Sequence, residues 1–596
     1  MSYILISFYD DKKAINTPKV SSEIIKHIVT ELDKVCLHIG SLVEDNISKK
    51  GRVIIGIDGY IGVEWNVLIH KLKEKFEELQ IDFKLLDVAD FYKPSDYIEN
   101  MIKPFLTCDP HFGRIFEGEI EIFLKGEELK EKIKRYERSS SVLICFGCGM
   151  VNKFTADLYD IVFYVDITKE VAGKRVLSGL IQHLGNRSKV ENKEYAGKRL
   201  YYVDFPVLDR HKKKVLKRMD FYLDGNNIGN LIMLPRNVYK DILFILSEYP
   251  LRLKPIYLEG VWGGLWLKEV RKLPKFMRNC AWSYEVMAPY QSLIVKLRNI
   301  TLNIPFLNLL WEHPDRVMGK FEAYEKVGGN FPIRVNYDDS MAGGDMAIQV
   351  HGNLSYLKEN FNEPIGQNES YYIVAAGPGS KVYLGLKNEA NVEKFHKAVL
   401  EAEIKNIPFD HNQYVNSIQS REGDLFLIPA GTIHASGYNQ VVLEISDTTD
   451  LYTFHFYDYL RPDLDGKLRP IHSYHAFRVL DPTKRANWVY KHLKVRPKPI
   501  RSGPNWVEYF LGELGELHIM IHRLEFLRNI SDNTNGKFHI LTLVDGEQII
   551  ISSKSNPDRR LKVRFSETAL IPACFGEYLL INMGISPCKV VKAFMR

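Results

Sequence analysis

The stretch GDLFLIPAGTIHASG at 423–437 decides how the chain is read. A short apolar run (425–428) ends in Pro429, Ala430 and Gly431, and a second short run opens at His434. Continuous apolar runs bounded by turn residues are buried β-strands. The same grammar recurs in FPIRVNY (331–337), DMAIQVHG (345–352), ESYYIVAAGPGSKVYLGL (369–386) and QVVLEIS (440–446). Strands so spaced predict a β-sandwich or jelly roll over 255–490, with a helical insertion near 387–405. A second all-β unit is expected over 491–596, from FHILTLVDGEQIII (538–551) and RRLKVRFSETALIPACFGEYLLI (559–581). An Ile-Pro-Ala phrase occurs in both units, a faint internal repeat, and only the first copy has a histidine after it.

Upstream the grammar changes. VIIGIDG (53–59), FKLLDVADFY (83–92), SVLICFG (141–147) and DIVFYVDI (160–167) are buried strands, and VLIHKLKEKFEEL (67–79) is an amphipathic helix. Together they predict an α/β domain over 50–205, with a parallel sheet covered on both faces. Residues 15–48 read as helical, with Ile24, Ile25, Ile28, Val29 and Leu32 on one face, which makes 1–49 an N-terminal helical segment. Residues 206–254 read as a connector whose basic run HKKKVLKR (211–218) is a solvated face.

Composition fits this multidomain plan. At 596 residues the chain has room for about four folding units. With 45% hydrophobic and 26% charged residues it is neither disordered nor fibrous. A net charge of +6 gives no case for a nucleic-acid partner. The seven cysteines are odd in number and scattered, unlike a disulfide framework. CFGC (145–148) has C-x-x-C spacing, but no second pair follows, so it reads as the end of a strand. Neither a leader pattern nor an apolar run of about 18 residues is found, so a cytoplasmic protein with no membrane partner is expected.

Chemistry concentrates in the first β unit. Gln349 and His351 lie two apart in one strand and share a face. Glu369 opens the next strand, and His434 follows the Pro-Ala-Gly turn. Polar ligand types inside apolar strands are costly unless partnered. Imidazole with carboxylate suits Zn²⁺ or another borderline divalent ion.

At these residues the sequence resembles type I mannose-6-phosphate isomerase, a zinc-dependent cupin family. The resemblance spans about 250–596 and also rests on VWGG (261–264), FYDYLR (456–461) and DGKLRPIH (465–472). It implies a double jelly-roll fold and one Zn²⁺ per chain held by Gln349, His351, Glu369 and His434. It implies a sugar or sugar-phosphate substrate, isomerised by proton transfer between C1 and C2 through a cis-enediol. Glu444 and Asp450 match acidic positions of the family, and Arg461 a basic one. The surroundings depart from the pattern: Ala347 replaces Ser, Gln367 and Asn336 replace Lys, and Gly352 replaces Pro. His455 stands where the family has a catalytic Arg, as a general acid–base or as a neutral filler. Arg334 would compensate for lost cations if its strand is regular.

GIDGYIGVEWN (56–66) resembles the opening of a uridine-kinase-type P-loop, and DFYKP (90–94) a later landmark of that family. Glu64, Trp65 and Asn66 replace the Gly, Lys and Ser of the phosphate-binding half, so kinase activity is not expected. Asp58 and Asp90 then read as remnants. Two functions follow from the whole: a metal-dependent sugar isomerase, or a non-catalytic sugar-responsive regulator built from a dead kinase and an altered isomerase.

Overall fold

The structure, a computed structural model, describes residues 6–7, 9, 13–136, 141–186, 192–319, 327–449 and 451–596. The strand Val53–Gly59 is buried at every position, as a strand covered on both faces must be. It runs parallel between Val142–Phe146 and Ile161–Asp166. Phe83–Asp87 and Phe221–Asp224 extend the parallel sheet on either side. Antiparallel Ile232–Pro235 and then Val29–Thr30 complete seven strands.

Three expectations change here. Residues 206–254 do not form a connector: they supply two of these strands and the helices Phe205–Val215 and Arg236–Leu246. The basic run is a solvated face only in part, at Lys214, Lys217 and Arg218. His211 and Lys212 are buried, with His211 Nε2 2.8 Å from Asp58 Oδ2 and Lys212 Nζ donating to Asp166 Oδ1 at 2.6 Å. A helix turns part of any basic run inward, and the buried charges persist because each meets a carboxylate. Finally, the 15–48 segment is broken into the helix Ser22–Lys26, the strand Val29–Thr30 and the helix Leu32–Lys50. Ile15–Asn16 pairs with Ser292–Leu297 instead. The β-branched Ile28, Val29 and Thr30 favour extended backbone, and Glu31 at φ +77° turns the chain into the long helix.

The first β unit is a sandwich. One sheet has seven strands, among them Ile333–Asp339, Gln440–Asp447, Glu369–Ala376 and Leu425–Ile428 in neighbouring order. The facing sheet has five: Val415–Gln419, Lys381–Leu386, His434–Ser436, Ile348–His351 and Thr453–Tyr457. The insertion is the helix Val392–Lys405. A second pair of sheets, of six and four strands, occupies the C-terminal region from Lys498.

The α/β unit is wedged onto the sandwich. Phe112 inserts among Phe361, Phe454 and His475, with ring centroids 5.7, 5.3 and 5.4 Å away. Ile115 donates its backbone N–H to the Phe361 carbonyl at 2.8 Å. Among the described residues no helix is long and apolar enough to cross a membrane.

Candidate metal centre and active site

Strand register brings the proposed ligands together from distant parts of the sequence. Gln349 pairs opposite His434 on one side and His455 on the other. Glu369 projects from the facing sheet. His351 Nε2 lies 3.1 Å from Glu369 Oε1, and His434 Nε2 lies 3.2 Å from Glu369 Oε2. All three side chains are buried, with ligand atoms within 4.8 Å of one another.

The remaining nitrogens fix the tautomers. His351 Nδ1 lies 3.2 Å from the Tyr452 carbonyl, and His434 Nδ1 2.8 Å from the Thr432 carbonyl. A carbonyl only accepts, so each Nδ1 carries the proton and each Nε2 turns a lone pair toward Glu369. His351 Nε2 and Glu369 Oε2 are buried without a hydrogen-bond partner. Acceptors converging in a dry interior are costly unless a cation sits among them, so this donor set fits a divalent metal. The Gln349 amide, with Nε2 3.4 Å from His434 Nε2, completes the ring of donors. A half-turn of that amide would present its oxygen.

A carboxylate relay adjoins the centre. The register between Ile333–Asp339 and Gln440–Asp447 is unbroken, so Arg334, Asn336 and Asp338 share one face. Arg334 Nη2 donates to Glu369 Oε1 at 3.0 Å and also bonds Glu444 Oε1, while Nη1 reaches the Thr449 carbonyl at 2.6 Å. Asn336 Nδ2 bridges Asp338 Oδ1 (3.0 Å) and Glu444 Oε2 (3.1 Å). Gln367 Nε2 donates to Glu369 Oε1 at 2.7 Å. The two amides that stand in place of lysines therefore hold carboxylates in position. Burial, and next the charge of Glu444, push the Asp338 carboxyl well above its usual range.

Other sequence-derived candidates fall in different places. His455 is buried, with Nδ1 3.1 Å from the Pro470 carbonyl. Burial pushes its imidazole down to about 4, so it is neutral near pH 7. Arg461 does not line the cavity at the centre. It is held by Asp458 Oδ1 at 2.5 Å and the Asp345 carbonyl at 2.7 Å. Asp450 lies outside the described residues. Arg469 lines the cavity instead, bonded to Asp458 and, at 3.1 Å, to Asp463. It sits within the DGKLRPIH stretch, but spacing alone does not separate it from Arg461.

The cavity measures about 430 Å³, within the usual range of ligand sites. Gln349, Glu369 and Glu444 line it beside Trp262 and Trp282. Leu177 of the α/β unit lines it too, as do Ile6 and Ser7. A larger cavity of about 660 Å³ lies beside the segment 61–67, away from the metal ligands. There Arg175 pairs with Glu64 at 2.6 Å and donates to the Gly62 carbonyl at 2.6 Å. Asp58 accepts from the backbone N–H groups of Gly59, Gly149 and Val151 at 2.7–2.9 Å, as well as facing His211. Cys145 and Cys148 are free thiols, both pushed up by burial, which leaves them poor nucleophiles.

Residues 38–248 match a family model described as a domain of unknown function (DUF8485). The chain is also similar to named enzymes. Mannose-6-phosphate isomerase ManA of Bacillus subtilis is 28% identical over 239 residues, 40% of this chain and 69% of the relative. The mannose-6-phosphate isomerase of Streptococcus mutans is 26% identical over 243 residues, 39% of this chain and 70% of the relative. The crystal structure of the Bacillus subtilis mannose 6-phosphate isomerase aligns with 58% of this chain and 99% of its own, at 19% identity and a TM-score of 0.47. A putative mannosephosphate isomerase from Archaeoglobus fulgidus aligns with 59% of this chain and 98% of its own, at 18% identity and a TM-score of 0.44. Over a region of about 240 residues, then, the chain's sequence relatives are mannose-6-phosphate isomerases.

Proposed function

We propose that this chain is a divalent-metal-dependent aldose–ketose isomerase, of the kind that interconverts mannose 6-phosphate and fructose 6-phosphate or a related sugar pair. The observation that carries the reading is the buried His351–Glu369–His434 triangle beside a cavity that also holds Glu444. Gln349, His351, Glu369 and His434 would hold the ion, and their mix of imidazole and carboxylate favours Zn²⁺. Such an ion, when bound, polarises a sugar carbonyl.

The chain's own residues do the rest. Glu444 is the group we assign to move the proton between C1 and C2, through a cis-enediol. Arg334 and Asn336 each bond one of its oxygens and hold it at the cavity wall. His455, neutral near pH 7, serves as a hydrogen-bonding group for a sugar oxygen and not as an acid. The α/β unit is read as a degenerate kinase-like domain that no longer transfers phosphate. The Glu64–Arg175 pair in its glycine-bearing loop supports that reading, as does the contribution of Leu177 to the isomerase cavity.

Glu444→Gln tests the assignment. The variant should keep its metal but lose turnover by about 10²-fold or more. Full turnover in the metal-loaded variant would remove Glu444 from the proton transfer.

A further inference from the structure

Resting on the isomerase reading above, we propose that the substrate of this cavity is an unphosphorylated sugar. A phosphate dianion is recognised by charge-assisted donors that are not already spent on other anions. Among the described residues, the cations lining the cavity are Arg334 and Arg469, and no lysine lines it. Arg334 is bonded to Glu369, Glu444 and the Thr449 carbonyl. Arg469 is bonded to Asp458 and Asp463. The same lining carries four carboxylates, Glu259, Glu369, Glu444 and Asp463, against those two guanidiniums. A divalent ion at the centre would bring the formal balance only to zero, leaving no surplus for a dianion.

The walls point the same way. Leu177, the last residue of the helix Lys169–Leu177, adds an apolar side chain to the wall and no cation. The same lining carries aromatic surface. Trp262 and Trp282 meet edge to face, with centroids 4.6 Å apart. The partly exposed Trp282 ring, backed by the buried Trp262, suits the C–H face of a sugar ring, and the carboxylates suit its hydroxyl donors.

The test uses the metal-loaded full chain and pairs of aldoses, each as the free sugar and as its terminal phosphate. Turnover is followed as hydrogen exchange with D₂O at C2. We expect kcat/KM for free mannose to exceed that for mannose 6-phosphate by at least tenfold, and inorganic phosphate at millimolar concentration not to inhibit. Asp463→Asn, which removes one carboxylate from the lining and one of the two partners of Arg469, and Leu177→Lys, which adds a cation, should each shift the ratio toward the phosphate ester. A preference for the phosphorylated member of any turned-over pair would overturn the proposal. So would competitive inhibition by inorganic phosphate. If metal is bound but no sugar exchanges, the isomerase reading fails by itself. Calorimetry with mannitol and mannitol 1-phosphate then decides the ligand class. Binding of mannitol alone supports the proposal, whereas tighter binding of the phosphate, or binding of neither, overturns it.

Discussion

His351 and His434 each spend one ring nitrogen on a backbone carbonyl and turn the other toward Glu369. That arrangement makes the loss of either ring a loss of metal. His351→Ala should lower metal affinity by more than the roughly 10–100-fold typical of outer-shell changes. Metal content after dialysis, read by atomic emission, checks this, and retention of the full complement would contradict it. Asp447 gives a prediction about pH. Burial pushes its carboxyl up to about 7, against the hydrogen bonds from Asn368. Between about pH 4 and 7 the unfolded chain has released this proton while the folded chain keeps it, so folding binds a proton. Stability from this group is therefore full below the unfolded value and is lost as pH rises through about 7. Asp447→Asn should match the wild type near pH 4 and surpass it at pH 8 in urea midpoint. A difference that is independent of pH would contradict this. That His351, Glu369 and His434 converge was legible from sequence, because polar side chains inside apolar strands demand a partner. Arg469 was not, because its partners Asp458 and Asp463 identify it only after a turn folds back. The role of Asp58 was hidden for the same reason: its partner His211 lies 153 residues away.

Among elements, the turn before His434 requires a glycine. Gly431 has φ +80°, and a Cβ there would lie 2.9 Å from the Val479 carbonyl oxygen. Its N–H also donates to the His351 carbonyl at 2.9 Å, so the turn ties two ligand-bearing strands together. Gly431→Ala should cost about 1–3 kcal/mol and weaken metal binding along with it. Thermal melts with and without added metal would check both, and an unchanged melting temperature would contradict the account of the turn. Strand periodicity made the sandwich readable, because apolar runs and turn residues are local signals. The two strands within 206–254 escape the pattern because each is only four residues long. Continuous helix over 15–48 failed for a different reason: edge pairing of Val29 and Thr30 with Met233 and Ile232 overrides the apolar spacing.

At the scale of the molecule, the α/β unit and the sandwich share a packed seam. Phe112 fills it, and Leu177 reaches the cavity beside Glu369 and Glu444 from the same unit. Phe112→Ala should cost about 3–5 kcal/mol and separate one thermal transition into two, as the units lose their wedge. A single transition at the original temperature in calorimetry would contradict that. The α/β unit thereby builds part of the wall of the cavity beside the His351–Glu369–His434 cluster.

The central claim is metal-dependent proton transfer at a sugar carbon. The most direct test is to strip the full chain with chelator, restore Zn²⁺, and follow the C2 hydrogen of mannose and of mannose 6-phosphate in D₂O by NMR. At least one sugar should exchange its C2 hydrogen and form ketose only in the restored protein, and His351→Ala should abolish both. Equal exchange in the stripped protein, or no exchange of either sugar with one metal bound per chain, would contradict it.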